Sequence, residues 1–357
     1  MNGRRVLVGM SGGVDSSVAA WLLKRDGWDV IGVTMKVWPQ DCLSRAEDKC
    51  CGPSAIADAR AVAHRLGVPH YVVDESDNFQ KIVIEYFAGE YRAGRTPNPC
   101  VMCNEHLKFG NLRTKARALG AEFVATGHYA IIERHAGRAV LRKGSDPRKD
   151  QSYFLFSLGQ DQLLHAMMPL GGMTKPEIRE TARGLGLKVA DKADSQEICF
   201  VPGNDYRAFL RGRLGEFHRG GIYDTAGNFL GDHEGIEMFT IGQRKGLPGG
   251  APHPRYVVDI DPATSRVIVG SEEELVRDAF EVDRVTWHDG EPDRPLRAVV
   301  KIRYAHPGAA ASVEALPGHR AKILLDEPQR AVTPGQAAVF YDGDRVVGGG
   351  WILRKSI

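Results

Sequence analysis

The chain has few cysteines. Six occur in 357 residues, Cys42, Cys50, Cys51, Cys100, Cys103 and Cys199, and none lies beyond position 199. That excludes the disulfide framework of a small secreted protein, and one Cys-x-x-Cys with a distant single cysteine points to metal binding or thiol chemistry. Long apolar runs are lacking as well. No uninterrupted stretch approaches the roughly 18 residues of a membrane helix, so no membrane association is expected. The apolar run after Arg4 and Arg5 is short and ends in a glycine loop, which reads as a strand, not a secretion signal. A cytoplasmic protein is the expectation. Internal repeats and low-complexity tracts are absent, and net charge is small, +2.

What charge there is has been distributed unevenly. Residues 91–151 hold twelve Lys or Arg (Arg92, Arg95, Lys108, Arg113, Lys115, Arg117, Arg134, Arg138, Arg142, Lys143, Arg148, Lys149) against five acids, whereas 271–294 hold nine acids against three arginines. Such runs are either solvated faces or places where a polyanion docks. With 43% hydrophobic and 26% charged residues the composition is that of a globular protein, and the length suits two or three domains.

The first 130 residues alternate strand and helix. "RVLVGM" reads as a buried strand, "SSVAAWLLKRDG" as a helix closed by Gly27, and "DVIGVTM" as a second strand. "SAIADARAVAHRLG" places Ile56, Ala59, Val62 and Ala63 on one helical face and stops at Gly67. Strand "PHYVVD", a helix around "NFQKIVIEYFAGEYRAG", a loop "RTPNPCVMC", a helix from Asn104 and strand "EFVATG" follow. This βαβ repetition predicts a parallel sheet covered on both faces, with ligands beyond the carboxyl ends of its strands. Three segments then share one edge: Ser11 to Ser16, Met35, and Gly127 with His128. From about residue 203 the texture changes to short segments with a hairpin across "DPATSR". After about 276 it reads as all β, with "RAVVKIRY", "AKILLDE", "QAAVFYDG" and "RVVGGGWIL" as strands of a small barrel. The expected division is 1–202, 203–275 and 276–357.

The opening loop "GMSGGVDSS" carries the first chemistry. Gly12 and Gly13 allow close backbone approach, Ser11, Ser16 and Ser17 bring hydroxyls, and Asp15 can hold Mg²⁺ or cap the helix. The loop has no lysine and no G-x-G-x-x-G, so neither a Walker loop nor a dinucleotide fingerprint is present. "SGGVDS" resembles the PP-loop signature of the N-type ATP pyrophosphatases (adenine nucleotide alpha hydrolase-like fold), which transfer AMP to a substrate oxygen and release pyrophosphate. A dense donor cradle for the leaving pyrophosphate is the physical logic of such a loop.

Further motifs narrow the class. "GRTPNPCVMCNEHLKFG", "KADSQEICFVPG", "GHYA", "KDQSYFL", "FTIGQRKGL", "VKIRY" and "PGQAAVFYDG" together resemble the bacterial tRNA-specific 2-thiouridylase family over essentially the whole chain. The resemblance implies a sulfurtransferase with a PP-loop ATP pyrophosphatase domain, a small central domain and a C-terminal β-barrel. It implies that ATP, with Mg²⁺, is bound by Gly9, Met10, Ser11, Gly12, Gly13, Val14, Asp15, Ser16, Met35 and Gly127. O2 of the wobble uridine of tRNA would be adenylated, and sulfur delivered to C2 from a persulfide on Cys199, with Cys103 as the partner thiol that releases it as a disulfide. Asn98, Pro99 and Cys100 are implied at the target base, and His128, Lys149, Asp150, Gln151, Arg303, Tyr304 and Gln336 at the tRNA. The sulfur would come from a donor such as a cysteine desulfurase or a sulfur-relay protein. Cys103, immediately before the expected helix start at Asn104, would have its thiolate favoured by the helix dipole.

One position departs from the family pattern. Cys100 stands where many members have aspartate, so Cys100, Cys103 and Cys199 could alternatively hold three irons of a [4Fe-4S] cluster, and a zinc site with Cys42, Cys50 or Cys51 is a third reading. Two other functions compete: a PP-loop ligase acting on a small molecule, similar to argininosuccinate synthetase, and a non-catalytic zinc or RNA-binding module. The first needs no pair of separated reactive cysteines, and the second leaves "SGGVDS" unexplained.

Overall fold

The computed structural model describes residues 4–37, 52–193, 198–217, 219–248 and 253–354. Cys42, Cys50 and Cys51 therefore lie outside the described residues. The chain divides into two compact units: residues 1–83, 100–204 and 344–346, and residues 84–99, 205–343 and 347–357.

The first unit is built on a parallel sheet. Strands β1 (Arg5–Gly9), β2 (Asp29–Lys36), β3 (His70–Asp74), β4 (Phe123–Ala125) and β7 (Ala166–Met167) lie in the order β3-β2-β1-β4-β7. Val6, Leu7 and Val8 of β1 are fully buried, as a central strand covered on both faces requires. Each such side chain contributes about 1.5–3 kcal/mol by leaving water. Helix α1 (Val14–Arg25) buries Val14, Val18, Ala19, Ala20, Leu22 and Leu23. Helix α2 (Pro53–Leu66) buries Ala55, Ala59, Val62 and Ala63, so Ala55 takes the core position that the sequence pattern assigns to Ile56. A left-handed Gly67 (φ 60°) stops α2, and Gly27 (φ 86°) turns the chain after α1.

The chain builds β2 and β3 on one side of β1, then returns to place β4 on the other. Strand order therefore reverses at the β1/β4 boundary, where the carboxyl ends of open α/β sheets form a ligand crevice. Strands β5 (Ala130–His135) and β6 (Arg138–Lys143), which the sequence pattern does not announce, form an antiparallel hairpin in the same unit.

One expectation is corrected between these strands. The helix expected from Asn104 starts at Pro99: Pro99–Met102 is α-helical and runs directly into the π-helical Cys103–Asn111 and the α-helical Leu112–Ala118. Proline suits a first helical position because its missing N–H would have no partner there, so "PNPCVMC" is half helix. Cys103 consequently sits beyond the first turn, where the dipole argument for its thiolate loses its force.

The second unit carries two antiparallel-rich sheets. Strands Gly220–Asp224, Phe229–His233, Tyr256–Asp261 and Arg266–Gly270 form one, the last two as the hairpin across "DPATSR". The other is a barrel of Val276–Trp287, Leu296–Lys301, Ala309–Leu316, Arg320–Arg330, Ala337–Asp342 and the final strand. It closes because Val276–Trp287 pairs with Arg320–Arg330 on one edge and with Gly348–Ile352 on the other. Val300, Ile302, Val313, Ile323, Ala338 and Phe340 fill its interior. Strand Leu296–Lys301 ends before Arg303 and Tyr304, which lie on the following bend instead of within the strand expected there.

Candidate functional site

The loop between β1 and α1 sits at the β1/β4 boundary and is held by its own side chains. Met10 N–H donates to Val33 O (2.8 Å) and Thr34 Oγ1 donates to Met10 O (2.7 Å), tying the loop's entry to β2. Ser11 N–H donates to Ser16 Oγ at 3.1 Å, and the two serine hydroxyls lie 3.3 Å apart. Gly12 takes φ +71°, and a Cβ there would stand 2.2 Å from Ala55 O, so only glycine lets α2 approach. Gly13 is the N-cap of α1 and no side chain caps the helix, which leaves its first N–H groups to whatever the loop binds. Asp15 is thus not the cap that its position permits. Ser17 is also reassigned: fully buried, it donates to Gly13 O at 2.8 Å and braces the helix start. Gly127, after β4, has its Cα against the loop, since a Cβ would lie 2.7 Å from Ser16 N and 2.8 Å from Asp15 C. Gly9 ends β1 and Met35 lies half-buried near the end of β2. Gly9, Met10, Ser11, Gly12, Gly13, Val14, Asp15, Ser16, Met35 and Gly127 therefore belong to one edge of one sheet.

Three residues that sequence reasoning missed complete this edge. Lys175, first residue of the helix Lys175–Gly184, places Nζ 2.7 and 2.9 Å from the two Asp15 carboxylate oxygens, and Tyr129 OH donates to Asp15 Oδ1 at 2.7 Å. Lys192 Nζ donates to Gly12 O (3.2 Å) and to Asp58 Oδ2 (2.7 Å). The loop has no lysine of its own because distant segments supply two. Only a faint sequence signal marked Lys175: "TKPE" has the Thr-x-x-Glu spacing of a capping box with proline near the helix start.

Residues 149–151 connect to the same edge. Gln151 Oε1 accepts from Tyr129 N–H (3.0 Å) and Gln151 N–H donates to Tyr129 O (2.8 Å), fixing the strand start from which Tyr129 reaches Asp15. Asp150 is buried and accepts from Gly144 N, Ser152 N and Ser152 Oγ, each at 3.0 Å, so its carboxylate shapes the turn. Lys149 is half-buried beside it.

His128 is buried, its Nδ1 2.7 Å from Thr126 Oγ1 and its ring tilted against Phe109. Desolvation, reinforced by the Lys108 charge, pushes its pKa well below the usual histidine value, so it is a neutral imidazole. Cys103 and Cys199 are half-buried in this unit, with Phe200 packed edge-on against Phe79. Cys100 has an open surface, yet the protein around its sulfur pushes the thiol up to about 11, against the opposing pull of Lys108. Residues 194–197, just before Cys199, lie outside the described residues.

One of the boundaries between the units falls between Pro99 and Cys100. In the second unit Asn98 and Pro99 are buried, and the preceding backbone is clamped by Gln336, whose Nε2 donates to Thr96 O and Pro97 O, both at 3.1 Å. Arg303 donates to Arg330 O, while Tyr304 is exposed with the Lys301 ammonium over its ring.

Two expectations change. At least seven of the twelve cations of 91–151 are engaged internally: Arg92 with the Leu214 carbonyl, Arg95 with Glu90, Arg113 with Asp161, Lys115 with Glu75, Arg142 with Glu133 and Asp344, Arg148 with Asp146, and Arg134 with the carbonyls of Leu163, Leu164 and Ala166. The basic run is in good part structural. Among the described residues, no three His, Cys, Asp or Glu side chains assemble as a metal-holding group, so the cluster reading of Cys100, Cys103 and Cys199 gains no support.

Three family models match the chain: a tRNA methyl transferase HUP domain over residues 4–203, a tRNA methyl transferase PRC-barrel domain over 207–271 and an aminomethyltransferase beta-barrel domain over 277–352. Among curated proteins, the tRNA-specific 2-thiouridylase MnmA of Geobacter metallireducens is 52% identical over 98% of this chain and 96% of its own length. That of Geotalea uraniireducens is 50% identical over 98% and 95%, and that of Clostridioides difficile 46% identical over 99% of both chains. Among the described residues no helix is long and apolar enough to cross a membrane.

Proposed function

The chain belongs to the tRNA-specific 2-thiouridylase family, and on that premise we propose that it is a tRNA-uridine 2-sulfurtransferase acting at the wobble uridine. Agreement with named relatives over 98% of the chain, with the PP-loop on the β1/β4 edge, is the observation that supports this most. A small-molecule ligase would share the loop but has no use for the rest of the matched chain.

The reaction divides into two displacements. ATP would lie with its β- and γ-phosphates on the N–H groups of Gly12 to Ser16 at the start of α1, leaving the α-phosphorus open. Uridine O2 attacks that phosphorus, pyrophosphate leaves, and O2 becomes part of an AMP leaving group. The terminal sulfur of a persulfide on Cys199 then attacks C2 and AMP departs. Cys103 thiolate attacks the Cys199 sulfur, forming a Cys103–Cys199 disulfide and releasing 2-thiouridine. The sulfane sulfur is reduced by two electrons and two thiols are oxidised, so a thiol reductant and a fresh persulfide reset the enzyme.

Mg²⁺, when bound, supplies charge neutralisation on the phosphates. Asp15, whose partly exposed carboxylate is bonded here to Lys175 and Tyr129, would supply the oxygen ligand that the ion prefers. Asn98, Pro99 and Cys100 border the flipped base, and His128, Lys149, Asp150, Gln151, Arg303, Tyr304 and Gln336 lie along the tRNA. Several act by setting backbone that the RNA meets, as Gln336 does for residues 96–97. The uridine must leave its stack to expose O2 and C2, which an anticodon-loop nucleotide does at low cost. The sulfur donor is a cysteine desulfurase or a relay protein, and the setting is the cytoplasm. Mass spectrometry of tRNA nucleosides after incubation with ATP, Mg²⁺ and a persulfide source tests the whole: 2-thiouridine should form with one pyrophosphate per modified base, and pyrophosphate release without tRNA would favour the ligase.

A further inference from the structure

We propose that Arg354, just past the final strand, is a positioning residue for adenylation: with the turn Pro334–Gln336 it fixes the backbone of residues 93–97, and so the place from which Asn98 meets the target base. This rests on the reading of Asn98 and Pro99 as neighbours of that base. Arg354 Nη2 donates to Ala93 O (3.2 Å) and Gly94 O (3.1 Å). A cation near a helix C-terminus ordinarily caps it, and the helix Glu85–Arg92 ends just before these carbonyls. That helix closes without Arg354, however: Gly89 O, Glu90 O and Tyr91 O accept from the N–H groups of Ala93 (2.9 Å), Arg95 (2.8 Å) and Gly94 (2.9 Å). The two carbonyls on Arg354 belong to the segment beyond the helix.

The same segment is held again two residues later. Thr96 N–H donates to Pro334 O (2.9 Å), and Gln336 Nε2 donates to Thr96 O and Pro97 O, both at 3.1 Å. The Arg95 guanidinium lies on the nearly buried Glu90 carboxylate. Gly335 (φ +87°) admits this approach, since a Cβ there would stand 2.9 Å from both Thr96 O and Arg95 Cβ. The turn and Arg354 are parts of one piece: Gly335 N–H donates to Ile352 O and Ile352 N–H to Gln336 O, each at 2.9 Å, two residues before Arg354. Connecting loops ordinarily run over the surface with their polar backbone in water, whereas here four carbonyls of residues 93–97 accept from two side chains of distant segments. Next comes Asn98, only 6% exposed, whose carboxamide has no hydrogen-bond partner among the described residues. Pro97 and Pro99 fix φ on either side of it. A held backbone that presents an unengaged, nearly buried amide suits a site that must meet a base in one orientation, where a misplacement of about 1 Å costs on the order of a hundredfold in rate.

Steady-state pyrophosphate release driven by tRNA is measured for the wild type, Arg354→Met, Arg354→Lys and Gly335→Ala, beside equilibrium ATP binding and a thermal melt. Arg354→Met should lower kcat by about tenfold or more, and leave KM for tRNA and Kd for ATP within about threefold, because Arg354 contributes to neither binding site. Arg354→Lys keeps a donor for one of the two carbonyls and should recover part of kcat. Gly335→Ala presses a Cβ on Thr96 O and should show the same selective loss; it carries the test alone if the melt shows Arg354→Met unfolded. An unchanged kcat in the folded variants, or a fall in kcat matched by an equal fall in ATP affinity, overturns the proposal while leaving the proposed activity intact. A wild type that releases no pyrophosphate with tRNA overturns the functional reading and this proposal with it.

Discussion

At the scale of single residues, the three described cysteines are not equivalent. Cys100 has the open surface, yet its thiol is pushed up to about 11, so at pH 8 it holds its proton and is a poor nucleophile. Where the resemblance leads one to expect an aspartate, the chain therefore has a neutral group. Alkylation by iodoacetamide, followed by peptide mass spectrometry, should label Cys100 more slowly at pH 8 than a model thiol, with the rate climbing steeply above pH 10. Labelling as fast as the model thiol would mean that the thiolate is not suppressed. Cys103 and Cys199 are assigned the sulfur chemistry, and each Ser variant should abolish thiolation while ATP binding stays within about twofold, because exchanging sulfur for oxygen leaves the loop of residues 11–16 unaltered. Retention of 2-thiouridine by either variant would remove its assigned role.

At the scale of elements, the site depends on close approach of backbone. Gly127→Ala drives a Cβ to 2.7 Å from Ser16 N and 2.8 Å from Asp15 C, both backbone atoms at the start of α1. Main chain cannot swing away as a side-chain end can, so overpacking should cost about 1–3 kcal/mol in stability. ATP affinity should fall with it, and calorimetric titration beside a thermal melt checks both. The strand-loop-helix origin of this element was legible because "RVLVGM" and "SSVAAWLL" carry clear periods and the glycines between them have one purpose. The helix start at Pro99 was not, because "RTPNPC" has two prolines, and proline marks both a loop and a first helical turn. Lys175 and Tyr129 escaped for a different reason: each stands more than a hundred residues from Asp15, and pairing at that separation exists only once the sheet is assembled. Asp150, which the resemblance puts at the tRNA, has its carboxylate spent on the turn that carries its neighbours, a local bond set that no motif announces.

At the scale of the molecule, desolvated histidines set the acid limit of stability. His70 and His128 in the first unit, and His233 and His306 in the second, all have pKa values lowered from 6.5, with desolvation the leading cause in each. Arg60 adds to the effect at His70 and Lys108 at His128, while Ser265 O and Gln329 partly oppose it at His233 and His306. Below pH 6.5 the unfolded chain takes up these protons and the folded chain does not, so stability falls as the pH falls from 6.5 toward the lower folded values. The limiting slope is about 1.4 kcal/mol per pH unit for each histidine. Depressed carboxylates such as Asp161, held by Arg113, act in the same direction only at lower pH, between the ordinary carboxylate range and their folded values. The two contributions are therefore separable: the melting temperature should decline between pH 6.5 and 5, before the carboxylates titrate. His128→Gln should flatten that decline in the first unit, because an amide keeps a hydrogen bond to Thr126 and takes up no proton. A melting temperature constant over that interval would show that these imidazoles accept protons while folded.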